Sequence, residues 1–325
     1  MCVIWGIPYL LIRVAVRDVE PGTLVFLRTA IGGLVLLPLA LTRGGFAPVL
    51  RRWRPLLAFT VLEMAVPWLF LSDAERHLSS SLTGLLIAAV PLVGVVAARV
   101  SGSDERADGL QLFGLLVGLV GVAMLVGLDF GDIRTTALLE LLVVVVGYAV
   151  APVIMSRRLA DLPSIPTVCA SLLLVALGYL PYAALRPPTH VAANGWWSIA
   201  TLGLVCTAVA FILFFALIAA IGPARATVIT YVNPAVALLF GVLLLGEDFT
   251  LGIGVGFPLI LIGSVLAARR RARPTAAGAD AVICETVDDQ SMRTGPDAVS
   301  NDAATRPVAS PSKASSQSTS TPSSG

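Results

Sequence analysis

Apolar runs recur along most of the chain, each about 17 to 20 residues long and separated by short polar connections. A helix of that length is enough to cross the roughly 30 Å hydrocarbon core of a bilayer. Helices are predicted because an isolated strand would leave its backbone groups unpaired in lipid. We predict ten membrane-spanning helices, at about 2–17, 23–42, 55–72, 82–99, 109–128, 136–156, 164–185, 197–220, 226–245 and 250–268.

The composition indicates a membrane protein rather than a soluble domain. Of the 325 residues, 57% are hydrophobic and 13% are charged, and the mean hydropathy is +0.89. Soluble globular chains have roughly a quarter charged residues. The net charge of +2 gives no reason to expect a nucleic-acid partner, and four scattered cysteines indicate neither a metal site nor a disulfide framework. The tail over 269–325, rich in Ala, Ser, Thr and Pro, is predicted to be disordered.

The arginines between the apolar runs are unevenly distributed. If the N-terminus is cytoplasmic, thirteen of them fall on the inner side of the membrane and four on the outer side. Basic residues are enriched in cytoplasmic loops. We therefore expect a multi-pass protein of the cell (plasma) membrane with both termini in the cytoplasm.

Similar residues recur at an offset of 142 to 143 residues between the two halves of the apolar region. Pro91 and Pro234 are 143 residues apart, Glu105 and Glu247 are 142 apart, and glycines of the fifth and tenth runs follow the same offset. Because each half holds five spans, the second half would be inverted in the membrane. Such inverted repeats are typical of secondary transporters, which bind substrate near the bilayer midplane.

Five stretches of the sequence carry a resemblance to a known family: "WGIPYLLIRVAV", "LVFLRTAIGGLVLLPLAL", "SSSLTGLLIAAVPLVGVV" followed by "DERADGLQLFGLLVGLVGVAMLV", and "ARATVITYVNPAVALLFGVLLLGEDFTLGIGVGFPLILIGSVL". The sequence resembles the drug/metabolite transporter superfamily, and within it the ten-helix proteins built from two EamA domains. The resemblance implies an all-α integral membrane fold of two inverted five-helix repeats, over 1–128 and 135–268, followed by a disordered cytoplasmic tail over 269–325. It also implies export or exchange of small metabolites, often amino acids or amphipathic compounds, without ATP or another cofactor.

Several aromatic and polar residues share helix faces that would line a substrate path, since one face of a helix returns every three to four residues. Aromatic walls with a few hydrogen-bonding groups are usual in small-molecule pockets. The alternative for the aromatic residues is a position at the membrane interface or against lipid, which is the one we expect for Trp53, Trp196 and Trp197. The candidate substrate-binding residues are Trp5, Tyr9, Arg28, Glu63, Tyr148, Phe211, Phe214, Tyr231 and Asn233.

Glu63 lies at the middle of the apolar stretch "PLLAFTVLEMAVPWLFL". A charged side chain at this depth costs roughly 2.5 to 3.5 kcal/mol on insertion scales, so we expect Glu63 to face the bundle interior, on one face with Pro67 and Phe70. Arg13 and Arg28 are its candidate ion-pair partners. Two roles remain open: a contact that fixes the third helix to its neighbours, or binding of a substrate cation or an exchanged proton.

The prolines and glycines of the apolar runs indicate bends and close contacts. Pro91 and Pro234 lie at the centres of their runs, where each removes one backbone hydrogen bond. Their matching depth favours a conformational hinge used in alternating access, with helix packing as the alternative. The glycines of the fifth and tenth runs allow close helix approach. We expect them at a contact within the chain or between the two chains of a homodimer.

Two classes of function are compared. An intramembrane enzyme needs a cluster such as HExxH, paired aspartates or a Ser/His couple at depth, and the apolar runs contain none. We therefore predict that the protein is not an enzyme but a secondary active transporter of small metabolites, an exporter or exchanger that works by alternating access, with proton coupling left open. The alternative is a flippase or assembly factor for lipids or polyprenyl-linked sugars.

Overall fold

The computed structural model describes residues 1–100, 109–127, 134–221 and 229–268. Residues Met1–Arg270 form one compact unit. The predicted tail and Glu105 lie outside the described residues. The helices of the first half are α1 (Cys2–Gly6), α2 (Pro8–Ala15), α3 (Pro21–Thr42), α4 (Ala47–Arg51), α5 (Trp53–Thr60), α6 (Val66–Ala74), α7 (Ser80–Ile87), α8 (Val90–Val100) and α9 (Gly109–Gly127). Those of the second half are α10 (Thr135–Arg158), α11 (Ser164–Leu185), α12 (Ala193–Gly203), α13 (Ala210–Ile221), α14 (Ile229–Leu245) and α15 (Leu251–Ala268).

The apolar helices reproduce the ten predicted spans. By length and composition, five helices among the described residues could cross a membrane, namely Pro21–Thr42, Trp53–Ala74, Thr135–Arg158, Ser164–Leu185 and Ala193–Ala220. Five shorter apolar helices complete the set, namely Cys2–Ala15, Ser80–Gly94, Gly109–Leu125, Val232–Leu245 and Leu251–Ala267. The predicted all-α membrane fold is therefore confirmed.

Two of the runs that the sequence predicts as continuous are interrupted. The first is interrupted at Ile7, directly before the proline that begins α2. The fourth is interrupted between α7 and α8, and Pro91 is the second residue of α8. A proline is tolerated at the start of a helix because the N–H it lacks would have no partner there. Pro234, in contrast, lies inside α14, so the two predicted hinges occupy different backbone settings, and their role in movement stays a prediction.

The middle of two long spans is wound as a π-helix. Val61–Ala65 separates α5 from α6, and Leu204–Val209 separates α12 from α13. Short π-helical insertions of this kind are frequent at functional sites. Their first residues are 143 positions apart, which equals the offset of the sequence repeat. The two repeats therefore share a backbone feature that hydropathy does not reveal.

Two residues that follow Glu63 on the third span, Pro67 and Phe70, contact different neighbours. The wider turn of the first π-helix rotates the residues after Ala65 away from the α-helical register. Pro67 packs closely against Gly147 of α10, whereas Phe70 packs against the core cluster that contains Tyr9. These contacts are compatible with a shared face, since Tyr148 of α10 packs against the same core cluster as Phe70, and the prediction that Pro67 and Phe70 continue one face with Glu63 stays a prediction.

Helix packing reflects the two repeats. The equivalent helices α3 and α11, α7 and α14, and α9 and α15 contact each other directly. In addition, the first span packs on the eighth, through α2 and α12, and the equivalent sixth span packs on the third, mainly through α10 and α6. This pattern is the one expected for two repeats related by a pseudo-two-fold axis.

The closest approach between helices is that of α9 and α15. A Cβ atom on Gly121 would lie 2.7 Å from the backbone nitrogen of Ile260, and one on Gly256 would lie 2.7 Å from the carbonyl oxygen of Gly121. A Cβ atom on Gly114 would lie 2.6 Å from the backbone nitrogen of Ala267. Only glycine allows backbones to meet this closely. The contact expected for these glycines is therefore made within the chain.

Polar contacts join the loops at each end of the bundle. At the end predicted to be outer, the Asp18 carboxylate accepts a hydrogen bond from the Ala192 backbone at 3.0 Å. At the opposite end, the Arg52 guanidinium forms a two-pronged ion pair with Asp161, with both N–O distances at 2.7 Å. Loops predicted to share a side of the membrane thus contact one another. Which side is cytoplasmic stays a prediction. The tryptophans expected at the membrane interface are all exposed, namely Trp53, Trp196 and Trp197.

Candidate functional site

A buried guanidinium on α3 is held between the two repeats. Arg28 is only 8% exposed, and its Nε donates to the hydroxyl oxygen of Thr207 at 3.0 Å. Its Cζ atom lies 3.7 Å from the centre of the Trp68 ring. A desolvated cation–π contact of this kind contributes about 2 kcal/mol. The guanidinium has five N–H donors and uses Nε–H on Thr207, so its terminal amino groups are candidates for an anionic ligand.

The second π-helix provides the hydroxyl that positions Arg28. The Thr207 hydroxyl donates to the carbonyl oxygen of Leu202, five residues earlier, at 2.8 Å. That hydrogen bond spans one π turn and fixes the hydroxyl oxygen as the acceptor for Arg28. The backbone irregularity in the second repeat is thus directly connected to the cation in the first.

Two predicted tyrosines lie near this guanidinium. Tyr9 of α2 is buried, and Tyr148 of α10 is half-buried. Both interact electrostatically with Arg28, and Tyr148 also interacts with Glu63. Three of the predicted substrate-binding residues, Tyr9, Arg28 and Tyr148, therefore form one polar cluster, and Glu63 is connected to it through Tyr148.

Glu63 lies in the first π-helix and does not form the expected ion pair. Its Oε2 atom is buried and accepts no hydrogen bond, and no ion pair with Glu63 is present among the described residues. Arg28 is engaged by Thr207 and Trp68, and Arg13 donates instead to the backbone carbonyl of Glu75. The prediction that one of these arginines neutralises Glu63 is wrong, because both guanidiniums have other contacts.

A second group of predicted residues forms an aromatic cluster. The Trp5 ring lies 4.7 Å from that of Phe214 and 6.1 Å from that of Phe211, centre to centre. Phe215 packs on both phenylalanines. Edge-on and tilted contacts of this kind stabilise by about 1 kcal/mol each beyond area burial. The cluster joins α1 to α13 and is the apolar part of the candidate site.

The two predicted residues of α14 are Tyr231 and Asn233, and the structure shows the surroundings of the Asn233 backbone. The carbonyl oxygen of Asn233 lies beside Gly6, where an added Cβ atom would approach it to 3.0 Å. This brings α14 against α1, whose Trp5 belongs to the aromatic cluster. The side chain of Tyr231 lies outside the described residues, so its role stays a prediction.

A carboxylate from the second repeat binds the N-terminus of α7. Glu247 accepts hydrogen bonds from the backbone N–H and hydroxyl of Ser80 at 2.7 and 2.9 Å, through Oε1. Its Oε2 atom accepts from the backbone N–H and hydroxyl of Ser81 at 2.9 and 2.5 Å. Negative charge is favourable at a helix N-terminus, where backbone N–H groups have no helical partner. We call this contact the Glu247 clamp.

A further buried carboxyl group lies beside the clamp. Glu75 follows the last residue of α6 and is fully buried, and neither of its carboxyl oxygens accepts a hydrogen bond from the described residues. Burial raises the pKa of the Glu75 carboxyl well above its usual range, and the Arg13 guanidinium opposes that rise. Sequence reasoning missed this residue because a Glu followed by Arg76 and His77 is typical of a solvated loop.

Trp68 was also missed, for a geometric reason. It is five residues after Glu63, a spacing that places two residues on one side of a π turn but not of an α-helix. The signal that could have revealed it is the aromatic ring itself, since a buried arginine requires a neighbour that compensates its charge.

Comparison with known proteins assigns the chain to a protein family. The model of the EamA-like transporter family matches residues 1–127 and 135–269. An uncharacterized inner membrane transporter of Escherichia coli K12, YedA, is 30% identical over 272 residues, which cover 80% of this chain and 87% of YedA. The uncharacterized transporter YoaV of Bacillus subtilis is 24% identical over 267 residues, covering 80% of this chain and 91% of YoaV. A crystal structure at 24% sequence identity matches with a TM-score of 0.62, covering 83% of this chain and 96% of its own, and supports the fold.

Proposed function

The chain belongs to the EamA-like transporter family, and on that premise we propose that it is a secondary active transporter that exports or exchanges small metabolites by alternating access. As a member of this family it is a multi-pass membrane protein, and its partners are the bilayer and a small-molecule substrate. The proposal concerns the class of substrate and the residues that bind it.

The observation that carries the proposal is the polar cluster around Arg28. Tyr148 interacts electrostatically with the buried Arg28 guanidinium and with the partly buried Glu63 carboxyl group. Arg28 is suited to a carboxylate, because a guanidinium binds carboxylate oxygens through two parallel hydrogen bonds. Glu63 is suited to an amino group or another cation, because its Oε2 atom has no hydrogen-bond partner among the described residues. This arrangement favours amino acids and related amphipathic compounds.

The aromatic cluster supplies the apolar part of such a site. Trp5, Phe211 and Phe214 are contributed by both repeats, as expected for a site at the repeat interface. Apolar walls with few polar groups are usual in pockets for small molecules. An amphipathic substrate would then contact charged groups with one part and aromatic rings with the other.

The alternative function, a flippase for lipids or polyprenyl-linked sugars, is favoured by one feature. A crevice of about 260 Å³ lies between the third span and α10. Its lining is apolar, and it includes the exposed side chains of Leu142, Val143 and Val146. An acyl or polyprenyl chain would fit such a surface, since the gain on burying apolar area is non-directional.

Uptake and scrambling assays separate the two functions. Purified protein is reconstituted into liposomes, and counterflow of a labelled amino-acid mixture is measured beside the movement of a fluorescent phospholipid between leaflets. The proposed function predicts counterflow above that of empty liposomes and no lipid movement. Lipid movement without counterflow would support the flippase and contradict the transporter.

The Glu63→Gln variant tests the assigned residue. It keeps the shape and hydrogen-bonding capacity of the side chain but removes the charge, so we expect weaker binding of cationic and zwitterionic substrates in the counterflow assay. Glu20→Gln is the matched control, because Glu20 is an exposed loop residue paired with Arg76. If Glu63→Gln inserts normally and transports with unchanged affinity and pH profile, Glu63 is structural and the assignment fails.

A further inference from the structure

Glu75 is buried in a way that an ionised carboxyl group does not tolerate. It is 0% exposed, and both of its carboxyl oxygens lack a hydrogen-bond donor among the described residues. An ionised group buried without a partner is costly, and proteins avoid the cost by holding such a group in its neutral form. The conformation described here therefore requires the proton to be on Glu75.

Charged and titratable groups face Glu75 from several elements. Arg13 and Tyr9 of α2 lie beside it, but the Arg13 guanidinium donates to the backbone carbonyl of Glu75 rather than to its carboxyl group. Arg28 of α3 and Glu247, after α14, act on it electrostatically. On α10 the nearest acid, Glu140, interacts with Asp73 of α6 instead.

The position of Glu75 connects the candidate substrate site with the Glu247 clamp. Tyr9 interacts with both Arg28 and Glu75, and Glu75 in turn interacts with Glu247. The clamp is a contact between the two repeats, since Glu247 belongs to the second and Ser80 and Ser81 belong to the first. In alternating access, contacts between repeats at one end of the protein break when that end opens.

An ionised Glu75 would oppose the closed clamp. Its charge would repel the Glu247 carboxylate and attract the Arg13 guanidinium away from the backbone carbonyl, and like charges in a low-dielectric site disfavour each other strongly. A neutral Glu75 removes both effects. Closure at this end and protonation of Glu75 are therefore linked.

We propose that Glu75 is the binding site for the coupling proton of this transporter, and that closure of the Glu247 clamp requires Glu75 to be protonated. The proton comes from water at the open end and forms an O–H bond on the carboxylate. That bond breaks again, with the proton returning to water, when the opposite side of the Arg28 site is hydrated. This inference rests on the proposed transport function. In it Glu75 binds the proton, and Glu63 binds the positively charged group of the substrate.

The first experiment compares proteoliposomes that contain the wild type, Glu75→Gln, Glu75→Asp or the exposed-site control Glu20→Gln. The labelled amino-acid mixture is the probe, and transport is measured with and without an imposed pH gradient. We expect a several-fold stimulation by the gradient in the wild type, in Glu20→Gln and, with a shifted pH dependence, in Glu75→Asp. In Glu75→Gln the ratio of the two rates should fall to about one, because the amide does not exchange a proton.

A second measurement needs no variant. A lipophilic carbodiimide reacts with neutral carboxyl groups, and peptide mass spectrometry of the wild type reports the rate of modification at Glu75. We expect that rate to fall several-fold as the pH is raised from neutrality into the alkaline range, because the raised pKa of the Glu75 carboxyl keeps it neutral at lower pH. A Glu75 that never takes the label, or that takes it at one rate over this range, would overturn the proposal.

The outcomes distinguish this proposal from the proposed function. If the wild type shows no counterflow, the transport function fails while the carbodiimide result still tests the proton site. If the wild type transports and Glu75→Gln responds to the gradient as the wild type does, the proton assignment fails and the transport function stands.

Discussion

The Glu247 clamp leads to the most direct prediction. In Glu247→Gln the side chain keeps one carbonyl oxygen and replaces the other with an amino group, which cannot accept. The variant can therefore keep the pair of hydrogen bonds to one serine, but it loses the hydrogen bond from the backbone N–H of the other, whose hydroxyl can only accept from the new amide group, and it loses the negative charge at the helix start. Hydrogen bonds to charged groups contribute about 1.5 to 3 kcal/mol, so we expect the closed contact to weaken by about 2 to 3 kcal/mol.

Hydrogen exchange measures this loss where it occurs. A loss of that size corresponds to a factor of roughly 30 to 150 in the equilibrium between the closed and open clamp. The backbone N–H groups of Ser80 and Ser81 are held by Glu247. Their exchange rates in lipid nanodiscs, followed by mass spectrometry of the peptide that contains α7, should rise by up to that factor, because exchange follows local opening.

Asp248→Asn is the matched control. Asp248 is the neighbouring residue and is exposed, so this variant removes the same charge from the same turn without touching the clamp. We expect exchange in α7 to be unchanged in Asp248→Asn. Equal exchange in the two variants would show that Glu247 does not hold α7, and the reasoning about the clamp would then be refuted.

Two further predictions concern packing and orientation. Gly121→Ala places a methyl group against the backbone of α15, and we expect it to destabilise the protein by about 1 to 3 kcal/mol, measured as a lower Tm. Gly178→Ala is the control, because Gly178 has open space around it and the added methyl group should not lower the Tm. An equal Tm for both variants would contradict the role of the α9–α15 contact. Labelling of single cysteines in intact cells should find the turn at Glu247 and Asp248 outside and the Arg51–Arg54 segment inside, and a cytoplasmic Glu247 would show the predicted orientation to be wrong.

The spans and their pairing could be predicted from the sequence because both depend on averages over many residues. An apolar run is long enough to be recognised whatever its internal details, and a repeat offset gains support from every matching pair. The interruptions depend on single residues. The break between α7 and α8 and the π-helix at Val61–Ala65 each alter the backbone over only a few residues. Hydropathy is insensitive to so local a change.

The candidate site was predicted in part, and its failures share a cause. Arg28 and Glu63 could be found because an ionisable group in an apolar run is costly and therefore conspicuous. Their partners depend on three-dimensional contacts: Thr207 reaches Arg28 from the other repeat, and Trp68 reaches it across a π turn. Glu75 was missed because it follows the span, where charged residues are ordinarily solvated and burial cannot be inferred from sequence.

The repeats have kept their backbone symmetry and lost their chemical symmetry. The position equivalent to Glu63 in the second π-helix is Cys206, and the position equivalent to Arg28 is Ser171, each 143 residues later. Ser171 accepts a hydrogen bond from Thr60 at 2.9 Å, whereas the position equivalent to Thr207 in the first repeat is Met64, which has no hydroxyl.

Both charges at the candidate site therefore come from the first repeat, while the second supplies a hydroxyl and most of the aromatic rings. A symmetric pair of sites would bind a symmetric substrate equally from either half, whereas this arrangement favours a substrate whose charged and apolar parts are separate. The polar end of the substrate would be bound by α3 and the first π-helix, and its apolar end by α13. Rocking of one repeat against the other would then move the two ends apart, which links substrate release to the same motion that opens the clamp.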